Sequence, residues 1–461
     1  MADPPTAISR RASPAARVAR SAASALLLLL GHARCQRADE IRERLEPPTA
    51  YERYVRGLQR AGLDSTALGR EWVAAGAQAL RTPATLELPY SEAAYFAADR
   101  AGAEGYRFAV RRGQRIVVTL EAQAGSATRI FLDLFQAPVD TLRRPEHVRS
   151  DEGATRRLDA EADRDGTWIL RVQPELLRSV RYTVTLRAEA SLAFPVSGRD
   201  SRAIQSRFGA DRDAGRRRHQ GVDIFAPRGT PAIAAVDGRV TWVGTNALGG
   251  NVVFLRDDAR RQNLYYAHLD TQLVRTGTRV RVGDTLGLVG NTGNARTTPP
   301  HLHFGIYHRG EGAVDPYAFV YSPARPAPAP RPDSVRLGSW SRTSGPRVVE
   351  LRASPDVRAA LVASLPRQTP VRVVAETGRW YRVELPDGER GYLVAAATEP
   401  AGSPLRRERT GAPTVLRDQP AVAATVVDSV GAGTSVAVYG RFGTFLFVRT
   451  PRGAMGWVQR G

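Results

Sequence analysis

The chain has 461 residues, with 66 Lys plus Arg against 46 Asp plus Glu and a formal net charge of +20 at pH 7. Because 42% of its residues are hydrophobic and 24% are charged, the composition excludes a disordered chain and indicates roughly two to four globular domains. A single cysteine, Cys35, excludes an intramolecular disulfide framework, and the lack of a long apolar run excludes a stable membrane span.

The amino-terminal residues have the pattern of an export signal. Four arginines precede an apolar segment, residues 21–30, which is followed by small residues up to Ala33. This order predicts a signal peptide at residues 1–33 that is cleaved after Ala33, and so a periplasmic or extracellular protein of the cell envelope. A short buried helix and a lipidation site at Cys35 are the alternatives.

Residues 38–82 show the apolar spacing of helices, with Tyr51, Tyr54 and Leu58 before a break at Gly62 and Trp72 after it. The spacing and the break predict a helical hairpin.

Residues 84–190 contain short runs with strand-like alternation, separated by turns rich in Gly and Asp, which predicts an antiparallel β-sandwich. Its segments GYRFAV, DRDGTWILRV and RYTVTL resemble those of the bacterial pre-peptidase C-terminal domain, an accessory module.

A proline-rich segment, residues 323–333, separates the middle of the chain from its last part. Alternating prolines favour an extended form of about 3.1 Å per residue, so we expect this linker to be a semi-rigid spacer.

The last part of the chain contains one small domain twice, at residues 334–397 and 405–461. Equivalent residues lie 65 positions apart, as in the pairs Leu351 and Leu416, and Gly391 and Gly456. Both copies resemble bacterial SH3-like domains, a resemblance that implies binding of cell-wall peptides. Aromatic side chains in so small a barrel belong to the core more often than to a ligand platform. That choice concerns four residues, Trp380, Tyr392, Phe445 and Trp457.

Five of the seven histidines fall within the remaining region, residues 200–322. In the run HLHFGIY the alternation predicts a strand with His301 and His303 on one face and apolar residues on the other. Strand neighbours at this spacing are about 6.5–7 Å apart, which suits one metal ligand and one flanking catalytic group. His308 lies on the opposite face of this strand, and we expect it at the surface.

His219 and Asp223 occur in the run HQGVDIFAPRGTPAIAA. Gly, Pro and β-branched residues around them indicate a loop that enters a strand, rather than a helix. The HxxxD spacing alone is weak evidence for a metal site. Two imidazoles and one carboxylate with a position left for water nevertheless form the ligand set of catalytic zinc.

Residues 204–307 resemble the lysostaphin and LytM-type zinc metalloendopeptidases, the β-lytic family, which cut peptide bonds in peptidoglycan. The motifs that carry the resemblance occur in order: SRFGADRD, HQGVDIFAPRGTPAIAAVDGRV, GGNVVFL, YYAHL, VRVGDTLGLVGNTGNA and HLHFGI. The resemblance implies Zn²⁺ ligands at His219, Asp223 and His303, and catalytic roles for His268 and His301. Residues 298–300, TPP, depart from the family pattern of a small residue, Gly and Pro.

The sequence therefore predicts a mainly β, multidomain protein that acts as a secreted zinc metalloendopeptidase on peptidoglycan cross-links, with paired barrels that bind the cell wall. We expect a monomer whose partner is peptidoglycan. A catalytically silent wall-binding or amidase-activating protein is the alternative from another class. Nucleic-acid binding rests only on the positive charge, and the export signal opposes it. The bond that is cut and the division of roles between His268 and His301 stay open.

Overall fold

The computed structural model describes residues 47–460, apart from 125–126, 141–142, 152–154, 213–214, 322, 324–325, 328, 331–335 and 346–347. The predicted signal peptide and Cys35 lie outside the described residues. None of the described helices is both long enough and apolar enough to cross a membrane. The chain divides into two compact units, Met1–Leu63 and Asp64–Gly461.

Helices form in both segments that the sequence assigned to a hairpin, and the boundary between the two units falls between them. In the first unit, α1 (Ala50–Arg60) begins with a capping box, in which the Thr49 hydroxyl accepts from the Glu52 amide and the Glu52 carboxylate accepts from the Thr49 amide. In the second unit, α2 (Ala67–Arg81) begins after the Thr66 hydroxyl, which accepts from the Gly69 amide.

The predicted β-sandwich is confirmed, and α2 packs against it. The strands are β1 (Ala84–Thr85), β2 (Tyr90–Phe96), β3 (Glu104–Val110), β4 (Gln114–Ala124), β5 (Ile130–Gln136), β6 (Glu146–Ser150), β7 (Arg157–Glu161), β8 (Gly166–Pro174) and β9 (Val180–Ala190). One sheet has the order β1-β3-β8-β5-β6, and the other contains β2-β9-β4-β7. The Trp72 indole of α2 donates to the Pro174 carbonyl at 2.8 Å, which fixes the helix on β8.

The histidine-rich region forms an antiparallel sheet of ten strands, with β11 and β12 as a separate pair. Its elements are β10 (Ile204–Ser206), β11 (Asp211–Arg212), β12 (Arg217–Arg218), β13 (Val222–Phe225), β14 (Pro231–Ile233), β15 (Gly238–Asn246), β16 (Gly250–Asp257), β17 (Gln262–Gln272), β18 (Arg279–Val280), β19 (Thr285–Val289), β20 (His301–His308), β21 (Gly312–Val314) and α3 (Tyr317–Val320). The main path of the sheet is β10-β13-β20-β17-β16-β15-β18. One face packs on an apolar core that includes Leu302, Phe304 and Ile306. The other face of β20 carries His301 and His303.

The predicted internal repeat is confirmed strand by strand. The first copy contains β22 (Trp340–Thr343), β23 (Val349–Arg352), β24 (Leu361–Leu365), β25 (Pro370–Thr377), β26 (Trp380–Glu384), β27 (Arg390–Val394) and β28 (Thr398–Pro400). The second contains β29 (Arg406–Arg409), β30 (Thr414–Arg417), β31 (Val426–Val430), β32 (Ser435–Phe442), β33 (Phe445–Arg449) and β34 (Met455–Gln459). The bounds of β23 to β27 and of β30 to β34 differ by 65 throughout. Trp380, Tyr392, Phe445 and Trp457 are all buried, but none belongs to the apolar core of its own barrel. Phe445 and Trp457 cluster with Trp340 of the first barrel, and the Tyr392 hydroxyl contacts that of Tyr90 in the sandwich, so burial at domain contacts replaces the predicted barrel core.

The first barrel is joined to the sandwich by strand pairing. Ala93 and Ala94 of β2 lie opposite Glu376 and Ala375 of β25, so one sheet of 11 strands runs through both domains. The first barrel is thus hydrogen-bonded to the sandwich, a non-local contact that the composition of the proline-rich segment does not reveal.

A buried charge network reinforces this junction. The Arg382 guanidinium of the barrel is 4% exposed and donates two hydrogen bonds to the Glu92 carboxylate of β2, at 2.7 and 3.1 Å, and one to Glu104. Burial alone would raise the pKa of Glu104, but Arg382 and Arg390 hold it below its ordinary value. Tyr90 donates to the Glu92 carboxylate at 2.7 Å, so the buried charges are paired and hydrogen-bonded.

The second barrel contacts the first through the face that corresponds to the Arg382 face of the first barrel. Phe447 and Trp457 stand 65 positions after Arg382 and Tyr392, and both pack against Trp340 of β22, with ring centroids 4.8 and 6.3 Å away. The Arg441 amide also donates to the Gln368 carbonyl at 3.1 Å. Each barrel therefore uses the same face, the first barrel to contact the sandwich and the second to contact the first barrel.

Candidate active site

Three side chains that are distant in sequence converge on the solvent-facing side of the sheet. The His219 Nε2, Asp223 Oδ1 and His303 Nδ1 atoms form a triangle with all three separations at 3.0 Å. His219 and Asp223 are buried, and the His303 side chain is 14% exposed. Ligand atoms this close together fit around a single metal ion.

Sheet register explains how the triangle forms. Asp223 of β13 lies directly opposite His303 of β20, so their side chains share one face. His219 lies in the predicted loop between β12 and β13 and reaches the same point from the side. Gly221 permits this approach, because a Cβ at that position would lie 2.8 Å from the His303 ring.

Hydrogen bonds outside the triangle fix the ligand atoms. The His219 Nδ1 lies 2.8 Å from the Arg207 carbonyl, which can only accept, so this nitrogen carries the proton and leaves a lone pair on Nε2. A neutral His219 therefore has no proton to give to the Asp223 oxygen 3.0 Å away. The close approach of these atoms is that of ligands around a cation. The Arg212 guanidinium donates to the other Asp223 oxygen at 2.7 Å.

The electrostatic environment keeps the triangle in the form that binds a metal. The Arg212 guanidinium donates to Asp223 at 2.7 Å, which favours the charged form of this carboxylate. Burial lowers the pKa of His303, against the opposing effect of Asp223. A charged carboxylate and a neutral imidazole are the protonation states that metal ligation needs.

His268 and His301 flank the triangle. Their ring centroids are 5.0 Å apart, and the His301 Nε2 lies 3.9 Å from the Asp223 Oδ1. The Nδ1 atoms of His268 and His301 each lie 2.9 Å from a carbonyl oxygen, those of Thr292 and Pro299. Each Nδ1 must therefore donate, which leaves Nε2 of both rings as a proton acceptor. Burial lowers the pKa of His268 to about 4, so its neutral form dominates at neutral pH.

A β-bulge turns His268 toward this site. The register between β16 and β17 shifts by one residue between Asn251 and Val253, and His268 has a φ of 61°. Regular alternation would place His268 on the core face with Tyr266. The bulge brings it to the face of His301, and a non-glycine residue at positive φ is a conformation concentrated at functional sites.

The structure thus brings together all five residues that the sequence singled out: His219, Asp223, His268, His301 and His303. His308 lies apart on the other face of β20 and is partly buried, where the sequence predicted a surface position. Pro299, in the segment that departs from the family pattern, supplies the carbonyl that holds His301. Sequence reasoning missed Arg212, although its place in the motif SRFGADRD was a signal.

Comparison with known proteins places this site within a recognised class. Residues 217–316 match the model of Peptidase family M23. Residues 347–398 match the model of the bacterial SH3 domain. The chain therefore contains an M23 metallopeptidase domain followed by a bacterial SH3 domain.

Curated relatives align over the M23 region. The peptidoglycan DD-endopeptidase ShyC of Vibrio cholerae is 46% identical over 89 residues, which cover 19% of this chain and 19% of the relative. The L-Ala–D-Glu endopeptidase of Bacillus subtilis is 38% identical over 136 residues, covering 27% of this chain and 41% of the relative. The matched region thus spans less than half the length of these relatives.

Among solved structures, the catalytic domain of the antimicrobial peptidase lysostaphin from Staphylococcus simulans is 29% identical. The match covers 26% of this chain and 94% of that chain, with a TM-score of 0.24.

Proposed function

We propose that this chain is a zinc-dependent endopeptidase of the cell envelope that hydrolyses peptide cross-links in peptidoglycan. The observation that carries the proposal is the triangle of His219, Asp223 and His303, with two further imidazoles beside it. The proposal includes export directed by residues 1–33. It also includes the domain limits predicted from the sequence, with the peptidase domain at residues 200–322.

The donor set fits zinc better than harder divalent ions. Two imidazole nitrogens and one carboxylate oxygen are usual ligands of catalytic Zn²⁺, whereas Mg²⁺ and Ca²⁺ prefer oxygen ligands. The Arg212 hydrogen bond to Asp223 Oδ2 leaves Oδ1 as the ligand atom and favours monodentate binding. A bound Zn²⁺ supplies a Lewis acid for the scissile carbonyl and lowers the pKa of a water molecule.

His268 and His301 have the position and the ring orientation needed to move protons during hydrolysis. In the neutral form of each ring, Nε2 is a lone-pair acceptor, because Nδ1 donates to a carbonyl. Such a nitrogen can take a proton from the attacking water and return it to the leaving amine. The same contacts hold the two rings in fixed orientations, so little reorganisation is needed during the reaction.

The proposed substrate follows from the relatives and from the second matched domain. Two curated relatives of the M23 region are named for endopeptidase activity, one of them on peptidoglycan. The formal charge of +20 favours adsorption to an anionic polymer such as the bacterial wall. The bacterial SH3 domain at residues 347–398 supports wall binding by the same chain.

The proposal is tested by metal-dependent digestion of purified peptidoglycan. The full chain is expected to release soluble fragments with new amino groups and no new reducing sugar ends, because it breaks amide bonds. A chelator is expected to stop the release, and about one equivalent of Zn²⁺ to restore it. Digestion that continues at full rate after the metal is removed would contradict the proposal. Zinc binding without any digestion would favour the silent wall-binding alternative.

A second test separates the flanking histidines from the metal ligands. His268→Ala and His301→Ala are each expected to lower kcat by about 10²–10⁴-fold, the usual contribution of general acid–base catalysis, while zinc still binds. His308→Ala is the matched control, since His308 follows on the same strand but lies outside the cluster. Metal content and kcat are measured for all three variants. Unchanged kcat in both flanking variants would remove them from the mechanism.

A further inference from the structure

A row of aromatic rings leads away from the metal triangle across the site face of the sheet. Tyr265 of β17 lies edge-on to His303, with centroids 5.8 Å apart, and Phe254 of β16 lies 4.7 Å beyond Tyr265. Trp242 of β15 lies 5.9 Å beyond Phe254. The row crosses four adjacent strands from β20 to β15 and ends at solvent.

A second β-bulge places Trp242 in this row. The register between β15 and β16 shifts between Val240 and Trp242, so that Val240 lies opposite Leu255 but Trp242 lies opposite Phe254. Val240 is fully buried in the core, and regular alternation would send Trp242 to the same side. The bulge turns the indole to the face that carries the active site, as bulges beside functional sites commonly do.

The indole lies flat on its own strand. A Cβ at Gly244 would lie 2.5 to 3.1 Å from three atoms of the Trp242 ring system, so the ring covers the backbone at this glycine. One face of the indole is therefore against the sheet, and Trp242 is 40% exposed. Phe254 forms a side wall, tilted by 56° to the indole. A flat exposed ring beside a tilted one is a platform for a flat ligand.

We propose that Trp242 is a subsite for a sugar ring of the glycan strand whose peptide is being cut. This inference rests on the proposed function. The apolar C–H face of a pyranose complements the negative face of an indole. A stem peptide carries carboxylates, which a cationic surface would attract. The rings of the row are neutral, and the Arg256 guanidinium, next on this face of β16, is ion-paired with Asp258. The platform therefore suits a sugar ring better than a peptide.

The position of the platform agrees with the length of the substrate. Trp242 stands three strands from His303, which is about 14 Å at a strand spacing of ~4.8 Å. An extended peptide covers that distance in about four residues at ~3.4 Å each. A short stem peptide with its scissile bond at the metal triangle therefore places its sugar at Trp242.

The test compares two substrates that share the same scissile bond. One is a cross-linked muropeptide dimer that carries its disaccharides, and the other is the same dimer after enzymatic removal of the sugars. Trp242→Ala is expected to lower the ratio of the two kcat/KM values, sugar-bearing over sugar-free, by about tenfold, which corresponds to one stacking contact. Trp242→Phe keeps a flat ring and is expected to retain most of the ratio. Val282→Ala, an exposed apolar residue of the same domain, is the control.

The outcomes separate this inference from the function on which it rests. If the wild type cuts both dimers and Trp242→Ala leaves the ratio unchanged, the sugar subsite is wrong while the endopeptidase assignment stands. An equal fall of the ratio in Val282→Ala also overturns the subsite, since the effect then has no connection with the platform. If the wild type cuts neither dimer, the proposed function fails and this inference fails with it.

Discussion

Replacement of His303 by alanine is expected to abolish both zinc binding and peptidoglycan hydrolysis. The His303 Nδ1 lies 3.0 Å from both other ligand atoms, and its loss leaves one imidazole and one carboxylate. We expect the zinc affinity to fall by more than the 10–100-fold typical of a lost outer-shell partner. Competition with a chromogenic chelator measures the affinity, and release of soluble wall fragments measures the activity.

Arg212→Gln is the matched comparison for this experiment. Arg212 donates to the Asp223 Oδ2, which is not one of the three ligand atoms, so its replacement represents the loss of an outer partner. The zinc affinity is expected to fall by about 10–100-fold while the three ligands stay in place. If His303→Ala retains stoichiometric zinc and lyses wall material, the ligand assignment is wrong.

Replacement of Arg382 by methionine is expected to lower the free energy of unfolding by about 3–5 kcal/mol. The guanidinium is the shared partner of the buried Glu92 and Glu104 carboxylates, which would remain without it in a low-dielectric junction. Urea unfolding followed by tryptophan fluorescence gives the shift of the midpoint. Addition of Glu92→Gln is expected to recover part of the loss, because Glu92 loses its arginine partner, whereas Glu104 keeps its ion pair with Arg390.

Arg164→Met is the control for this stability measurement. Arg164 pairs with Glu146, and both side chains are more than half exposed, so the expected loss is at most about 1 kcal/mol. Equal losses in the two variants would show that the Arg382 network contributes no more than a surface ion pair.

The effect of Arg382→Met is also expected to depend on pH. Arg382 and Arg390 lower the pKa of Glu104 in the folded chain, so its charge adds stability above its unfolded pKa of about 4.5. That stability is lost as the pH falls through the lower folded value. The difference between wild type and Arg382→Met should therefore shrink in acid.

Local patterns predicted much of this molecule. The 65-residue offset predicted two equivalent barrels, because a repeated sequence with the same alternation forms the same strands. Alternation in β20 correctly put His301 and His303 on one face, since strand side chains have a period of two. The loop before β13 was also predicted, from residues that disfavour a helix.

Positions that depend on strand register were not predictable in the same way. His268 and Trp242 each follow a bulge, and one extra residue reverses the face of every side chain beyond it. Composition gives no signal for such a shift in a single sequence. If the bulges are not known, strand alternation assigns both His268 and Trp242 to the core face.

The junction between the sandwich and the first barrel escaped prediction for a different reason. The pairing of β2 with β25 joins residues nearly 300 positions apart, and no local pattern encodes such a contact. A partial signal did exist. Glu92 shares its face of β2 with Tyr90, Ala94 and Phe96, and a charge at such a position requires a buried partner elsewhere.

The shared sheet also determines how mechanical force would pass through the protein. A barrel anchored on a rigid, stretched polymer experiences a pull whenever the rest of the chain moves away. With Ala93 and Ala94 bonded across to β25, that tension enters through hydrogen bonds between strands and through the Arg382 ion pairs.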